Sequence, residues 1–214
     1  MQARQLLTLS GLASVILLVI SFAGLSQSTP EGDATGAEVK TFYTDHSSRQ
    51  QAAAYVVILA VPLLIFFAAA VRTALIESGE RRSELWGNIF LGGALVAGTG
   101  FLLAACFHLA LTTAPEDFST STMQALNAIE AESWVGFGGG IGIMLLGAAG
   151  AMLPAASGVR WLGWIALALG VLMFTPVGFF AFLGSGLWIA LTSVAMTMQQ
   201  RSQPARRREP LVTG

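Results

Sequence analysis

The chain has 214 residues, of which 54% are hydrophobic and 11% charged, with a formal net charge of -1. Soluble domains carry roughly a quarter of charged residues, so this composition, with a mean hydropathy of +0.69, excludes an ordinary water-soluble globule and indicates a membrane protein. If the apolar runs are six spanning helices, Arg4, Arg72, Arg81, Arg82, Arg160, Arg201, Arg206, Arg207 and Arg208 fall on one side and only Lys40 and Arg49 on the other. That asymmetry predicts an all-α polytopic bundle with both termini in the cytoplasm, in the plasma membrane.

The first apolar run, Leu6 to Leu25, is about 20 residues, enough to cross roughly 30 Å of hydrocarbon. A signal-peptide core is shorter, and Ser26-Gln-Ser28 offers no clear small-x-small cleavage site, which favours a retained anchor. Residues 26–50 form a polar outer segment. Its first half, with Pro30, Gly32 and Gly36, is expected to be loosely ordered, and its second half is more structured in character, with Phe42 and Tyr43 placed at the headgroup level. The second span, 51–71, carries Pro62 near its middle, which removes one backbone hydrogen bond and is expected to kink it.

A short cytoplasmic loop rich in charge leads to the third span, 86–112, on which Gly93, Ala97, Gly100, Ala104 and His108 share one face. Small side chains let helix backbones approach, so that face is expected to pack against another helix. Beyond Pro115, Ser119 or Thr120 can cap a surface helix in which Met123, Leu126 and Ile129 recur at amphipathic spacing. The fourth span, 134–153, is the most glycine-rich stretch. Gly136/Gly140 and Gly138/Gly142 are overlapping G-x-x-x-G pairs there, and Gly147 continues the stripe.

The run from Trp161 to Met198 is too long for one span, and Thr175-Pro-Val-Gly178 is its natural turn. A hairpin of spans 159–175 and 178–198 returns the arginines beyond it to the cytoplasm. Residues 1–198 thus read as one transmembrane domain, and 199–214 as a basic, disordered tail whose Arg206, Arg207 and Arg208 can hold lipid headgroups at about 1 kcal/mol each.

His108 lies about one turn from the outer end of its span, and an ionisable group inside a membrane segment is expensive to keep there. Counting back by turns from Gly147 through Ile143, Gly140 and Gly136 reaches Glu132, so if the small-residue faces meet, His108 and Glu132 form an outer-side polar pair; the other reading is His108 bonded to a hydroxyl or backbone carbonyl as packing glue. Glu130, two residues away, is expected on the opposite face of its helix, in solvent. Asp45, His46 and Glu130 can be combined into a metal site. The set is thin, however, because the chain has two histidines, one cysteine (Cys106, inside an apolar run), no H-E-x-x-H and no G-x-S-x-G, so neither metal nor cofactor is expected.

On the outer side Glu31, Asp33, Glu38, Asp45, Glu116, Asp117, Glu130 and Glu132 face only Lys40 and Arg49, and no nucleic-acid partner is expected there. The middles of the spans lack charges, which counts against an ion-coupled carrier.

Phe42-Tyr-Thr-Asp-His46 before the second span, Gln51-Ala-Ala-Ala-Tyr55 opening it and Val159-Arg-Trp-Leu-Gly-Trp164 opening the fifth resemble a family of polytopic integral membrane proteins of high-GC actinobacteria that has no assigned function. The resemblance implies an inner-membrane location and no particular activity. The leading expectation is a non-enzymatic membrane protein, an accessory or scaffold subunit or a lipid binder, with membrane lipids and a protein partner or a second copy as its contacts. The alternatives are a small-solute permease and an outer-leaflet enzyme using His108 with Glu132.

Overall fold

The computed structural model describes residues 2–26, 29–77, 81–113, 115–154 and 160–202. All described secondary structure is helical: α1 (Gln2–Val19), ending in a π-helical turn (Ile20–Leu25), then α2 (Gly36–Glu77), α3 (Arg81–Thr113), α4 (Thr120–Glu132), α5 (Trp134–Met152), α6 (Arg160–Leu172) and α7 (Gly178–Ser202). Five helical stretches are long and apolar enough to cross a membrane. The chain is therefore a membrane protein by length and composition, folded as one helical bundle. α6 is apolar but only 13 residues, about 20 Å against a hydrocarbon core of roughly 30 Å. The fifth expected span is shortened because the chain turns at Met173–Val177, around Pro176, before α7 begins. The hairpin itself forms, and Trp188 Nε1 of α7 donates to the Leu162 carbonyl of α6 at 2.9 Å.

α3 is sandwiched between α2 and α5, α1 packs on α2 and α7, and α6 bridges α5 and α7. The seam between α3 and α5 is the one expected from the small residues. A Cβ at Gly93 would run into the backbone of Met144, one at Gly100 into Phe137, one at Gly140 into Ala97 and one at Gly147 into Phe90. Ala97 is fully buried, Ala104 is half-buried beyond it, and Gly136 sits over the Gly100 Cα. Of the two G-x-x-x-G pairs only Gly136/Gly140 lies on this seam, since Gly142 faces Phe174 and Met173 in the turn after α6.

α1 is fastened by a different device. Ser10, Ser14 and Ser21 donate to the carbonyls of Leu63, Ala60 and Ala53 on α2, each at 2.9 Å. In hydrocarbon such hydroxyls have no water to turn to, and each bond contributes about 0.6 kcal/mol. Two of these carbonyls flank Pro62, through which α2 stays helical.

The outer segment departs most from expectation. α2 begins at Gly36 and runs 42 residues, about 63 Å, so it stands well clear of a roughly 30 Å core. Its start is a capping box, in which the Thr35 N–H and hydroxyl both donate to the Glu38 carboxylate and the Glu38 N–H returns to Thr35 Oγ1. These Thr35 bonds hold the Glu38 carboxyl below its usual pKa. The buried stripe of Val39, Tyr43 and Gln50 continues in phase into Ala54, Val57, Val61 and Leu64, so a single packed face carries the helix from water into the membrane.

α4 lies across this projection. Ser119 caps it, accepting from the Thr122 N–H at 3.2 Å. Its inward face is Met123, Asn127 and Glu130, with Leu126 half-buried and Ile129 largely exposed, because a strict spacing of three drifts around a helix of 3.6 residues per turn. Met123 joins Val39, Tyr43 and Leu111 in a small core under the cap.

Candidate functional site

Two places in this fold have the makings of a site. The first is a buried polar cluster under α4. Tyr43 and Gln50 reach it from α2, His108 from α3 and Glu130 from α4. The His108 ring stands between two oxygens, with Nε2 3.0 Å from Gln50 Oε1 and Nδ1 3.2 Å from Glu130 Oε1. Tyr43 packs edge-on against the imidazole, ring centroids 5.7 Å apart.

Gln50 and Tyr43 are completely buried and His108 is 8% exposed. The Tyr43 hydroxyl and the Gln50 Nε2 find no partner. Burial first, and then the nearby Glu130 charge, pushes the Tyr43 phenol well above its ordinary pKa, so it remains a neutral tyrosine.

The carboxylate that meets His108 is thus Glu130, not Glu132, which is exposed. The count along the glycine face assumed one unbroken α-helix. The chain instead tightens between α4 and α5, where Ser133 N–H bonds to the Glu130 carbonyl and Gly136 N–H to the Ser133 carbonyl. Those three-residue steps advance the face faster than α-helical ones and bring Glu130 inward. Tyr43, expected at the headgroups, is core, while Phe42 is half-buried beside it.

His46 turns away from the cluster, stacking on Phe42 with Nδ1 2.9 Å from that residue's carbonyl, and Asp45 is exposed. Among the described residues no three His, Cys, Asp or Glu side chains gather as a metal site would require. Arg206, Arg207 and Arg208 lie outside the described residues.

The second place is a cavity of about 630 Å³ between α1, α5 and α7, in the half of the bundle that carries α4. Its walls are Val15, Leu18, Phe22, Phe137, Phe179 and Phe182, with Trp134 toward α4 and Leu64, Ile141 and Ile189 toward the middle of the bundle. The two hydroxyls that reach it are already used, Ser14 on the Ala60 carbonyl and Ser185 on the Phe182 carbonyl. It has the size of a small-molecule site, and its side-chain hydroxyls are both taken up by carbonyls.

The π-helical turn contributes Phe22 and Ala23 to the wall. Such turns often mark functional positions, because the irregular backbone has to be held by something. Here Arg49 does this, its Nε and Nη2 bonding the carbonyls of Leu25 and Gly24 at 2.8 and 2.9 Å.

The sequence reading missed Gln50; the signal that could have found it is its place seven residues after Tyr43, two helical turns along the same face. The cavity had no sequence signal, because it depends on the relative placement of α1, α5 and α7, which are far apart in the chain. Comparison with known protein families, with characterised proteins and with solved structures finds no match for this chain.

Proposed function

We propose that this protein is a multi-pass plasma-membrane protein that binds the hydrocarbon chain of a lipid in the cavity between α1, α5 and α7. The observation that carries this reading is the cavity's extent together with its chemistry. Along α1 it runs from Ser14 to Ala23, about 14 Å, close to half of a roughly 30 Å hydrocarbon core. A spanning helix of a partner protein would need a groove along both leaflets, whereas a lipid chain of one leaflet needs only this depth.

The lining is mainly apolar and aromatic, with the Ser14 and Ser185 hydroxyls already bonded to carbonyls, which suits a chain better than a polar solute. The inner end is closed by Leu64, Ile141 and Ile189, all 3% exposed or less, which supports a binding site over a path for permeation. The distribution of arginine, and the resemblance to the actinobacterial membrane family, support an inner-membrane location with the cavity in the outer leaflet. An outer-leaflet enzyme built on His108 and Glu132 loses its basis, since one residue is sealed under α4 and the other points to solvent.

The test is native mass spectrometry of the protein extracted gently from its own membrane, beside the variant Gly186→Phe. Gly186 lines the cavity, and a Cβ there meets only Val15 Cγ1 at an ordinary 3.7 Å, so the added ring projects into the lining between α1 and α7. The wild type is expected to carry a lipid-sized mass that the variant lacks at unchanged thermal stability. An empty wild type, or equal occupancy in both, would overturn the proposal.

A further inference from the structure

We propose that the lipid held in the cavity carries a phosphate group, gripped by the open edge of the Arg49 guanidinium over the end of α1. This rests on the lipid reading above and adds to it the chemistry of the headgroup. The wall that α1 and its π-helical turn give to the cavity ends at Ala23. Gly24 and Leu25 follow at once, and Arg49 bonds their carbonyls, Nη2 to Gly24 at 2.9 Å and Nε to Leu25 at 2.8 Å. The last carbonyls of a helix lack partners within it and face beyond its end, so the guanidinium sits just past that wall. A chain buried from Ser14 to Ala23 emerges, with whatever it is attached to, close to the height of Arg49.

An arginine on helix-terminal carbonyls is ordinarily a cap and nothing more. What sets this one apart is the edge it uses. Nε–H and the adjacent Nη2–H form the side edge of the guanidinium fork, and the two carbonyls occupy that edge. The end edge, shared by Nη1 and Nη2, has no hydrogen-bond partner among the described residues, and Arg49 is exposed. Two parallel N–H donors at a fixed spacing match two oxygens of one anion. The nearby acids do not supply that anion: Glu31, Asp33, Asp45 and Glu132 are exposed, and the ion pairs among the described residues are Arg4 with Glu77 and His108 with Glu130. Lys40, the other cation on this part of α2, is engaged on the carbonyls of Glu116 and Phe118. Those same acids repel a free anion, so it is the buried chain that brings a phosphate to Arg49. The end edge lies past Leu25, roughly 3 Å or more beyond the last wall residue. The anion must therefore stand off from the chain by several bonds, as a phosphate on a glycerol does and a fatty-acid carboxylate does not.

The test is native mass spectrometry of the intact chain in an uncharged, phosphate-free detergent, titrated with dioleoyl phosphatidic acid and with dioleoylglycerol, which share their chains and differ by the phosphate. The wild type is expected to hold phosphatidic acid on the order of tenfold more tightly, the scale set by a hydrogen bond to a charged group. Arg49→Gln should erase that preference and keep dioleoylglycerol, while Lys40→Gln should alter neither. Gly186→Phe should lose both lipids. A wild type that binds neither lipid overturns the cavity reading and this proposal with it; one that binds both equally overturns this proposal alone. So does a preference that survives Arg49→Gln or falls as far in Lys40→Gln, and so does oleate or inorganic phosphate bound as tightly as phosphatidic acid, which would assign the anion site to a carboxylate or to free phosphate. Should Arg49→Gln lose dioleoylglycerol as well, Arg49→Lys serves in its place: it keeps the charge without the fork and should hold the preference only in part, and full retention would overturn the two-donor grip.

Discussion

On the face of α5 that meets α3, glycine brings two backbones together; on the side that looks toward α1 and α7, glycine leaves space that no side chain fills. At Gly93, Gly100, Gly140 and Gly147 a single methyl would already collide with the main chain of the facing helix. Gly138 of α5 and Gly186 of α7 line the cavity instead, and a Cβ at either makes nothing closer than 3.4 Å. Since lipid gives helices no hydrophobic reason to associate, the close-packed face supplies cohesion and the open face supplies room. Glycine content alone distinguishes neither role; what lies opposite does.

The strongest way to break this contrast is Gly140→Leu. Its side chain must push α3 away at Ala97, an overpacking that typically costs about 1–3 kcal/mol or more, and the detergent-solubilised protein is expected to lose thermal stability markedly. If Gly140→Leu melts where the wild type does, the seam is not the structural spine of the bundle.

A smaller effect is expected at Ser14→Ala, where α1 loses its bond to the Ala60 carbonyl. The expected loss is about 0.6 kcal/mol, read from unfolding in mixed micelles, and a loss as large as that at Gly140 would shift the cohesion from glycine to serine. The smallest effect sharpens the comparison most. Gly139 is the immediate neighbour of Gly140, yet a Cβ there meets nothing within 4 Å. Gly139→Ala should be neutral or stabilising by about 0.5 kcal/mol through lower chain entropy in the unfolded state; destabilisation would mean that this face is also packed, by a second chain or a bound molecule.

Much of the architecture was legible because its causes are local. Apolar runs of membrane length gave the long helices, Ser119 marked the start of α4, and the spacing of Gly93, Ala97, Gly100, Gly136, Gly140 and Gly147 announced the seam. The extension of α2 was present but unread in Thr35-Gly-Ala-Glu38, a capping box set among turn-forming residues that suggest a loop. His108 was found as an ionisable residue in an apolar helix, but its partner was misplaced by two residues, because helix phase cannot be carried across the tight turn at Ser133.

By itself, then, the sequence determined that this is an all-helical membrane protein, which apolar runs are helices, and which face of α3 must be narrow. Hydropathy, capping and side-chain size act within a few residues of themselves, and so they survive in the linear text. Only the tertiary structure decided that Glu130 meets His108, that Tyr43 and Gln50 close around the ring, and that α1, α5 and α7 stand apart over a cavity. Each of those depends on the relative placement of helices far apart in the chain, set by the sum of many contacts and written at no single position.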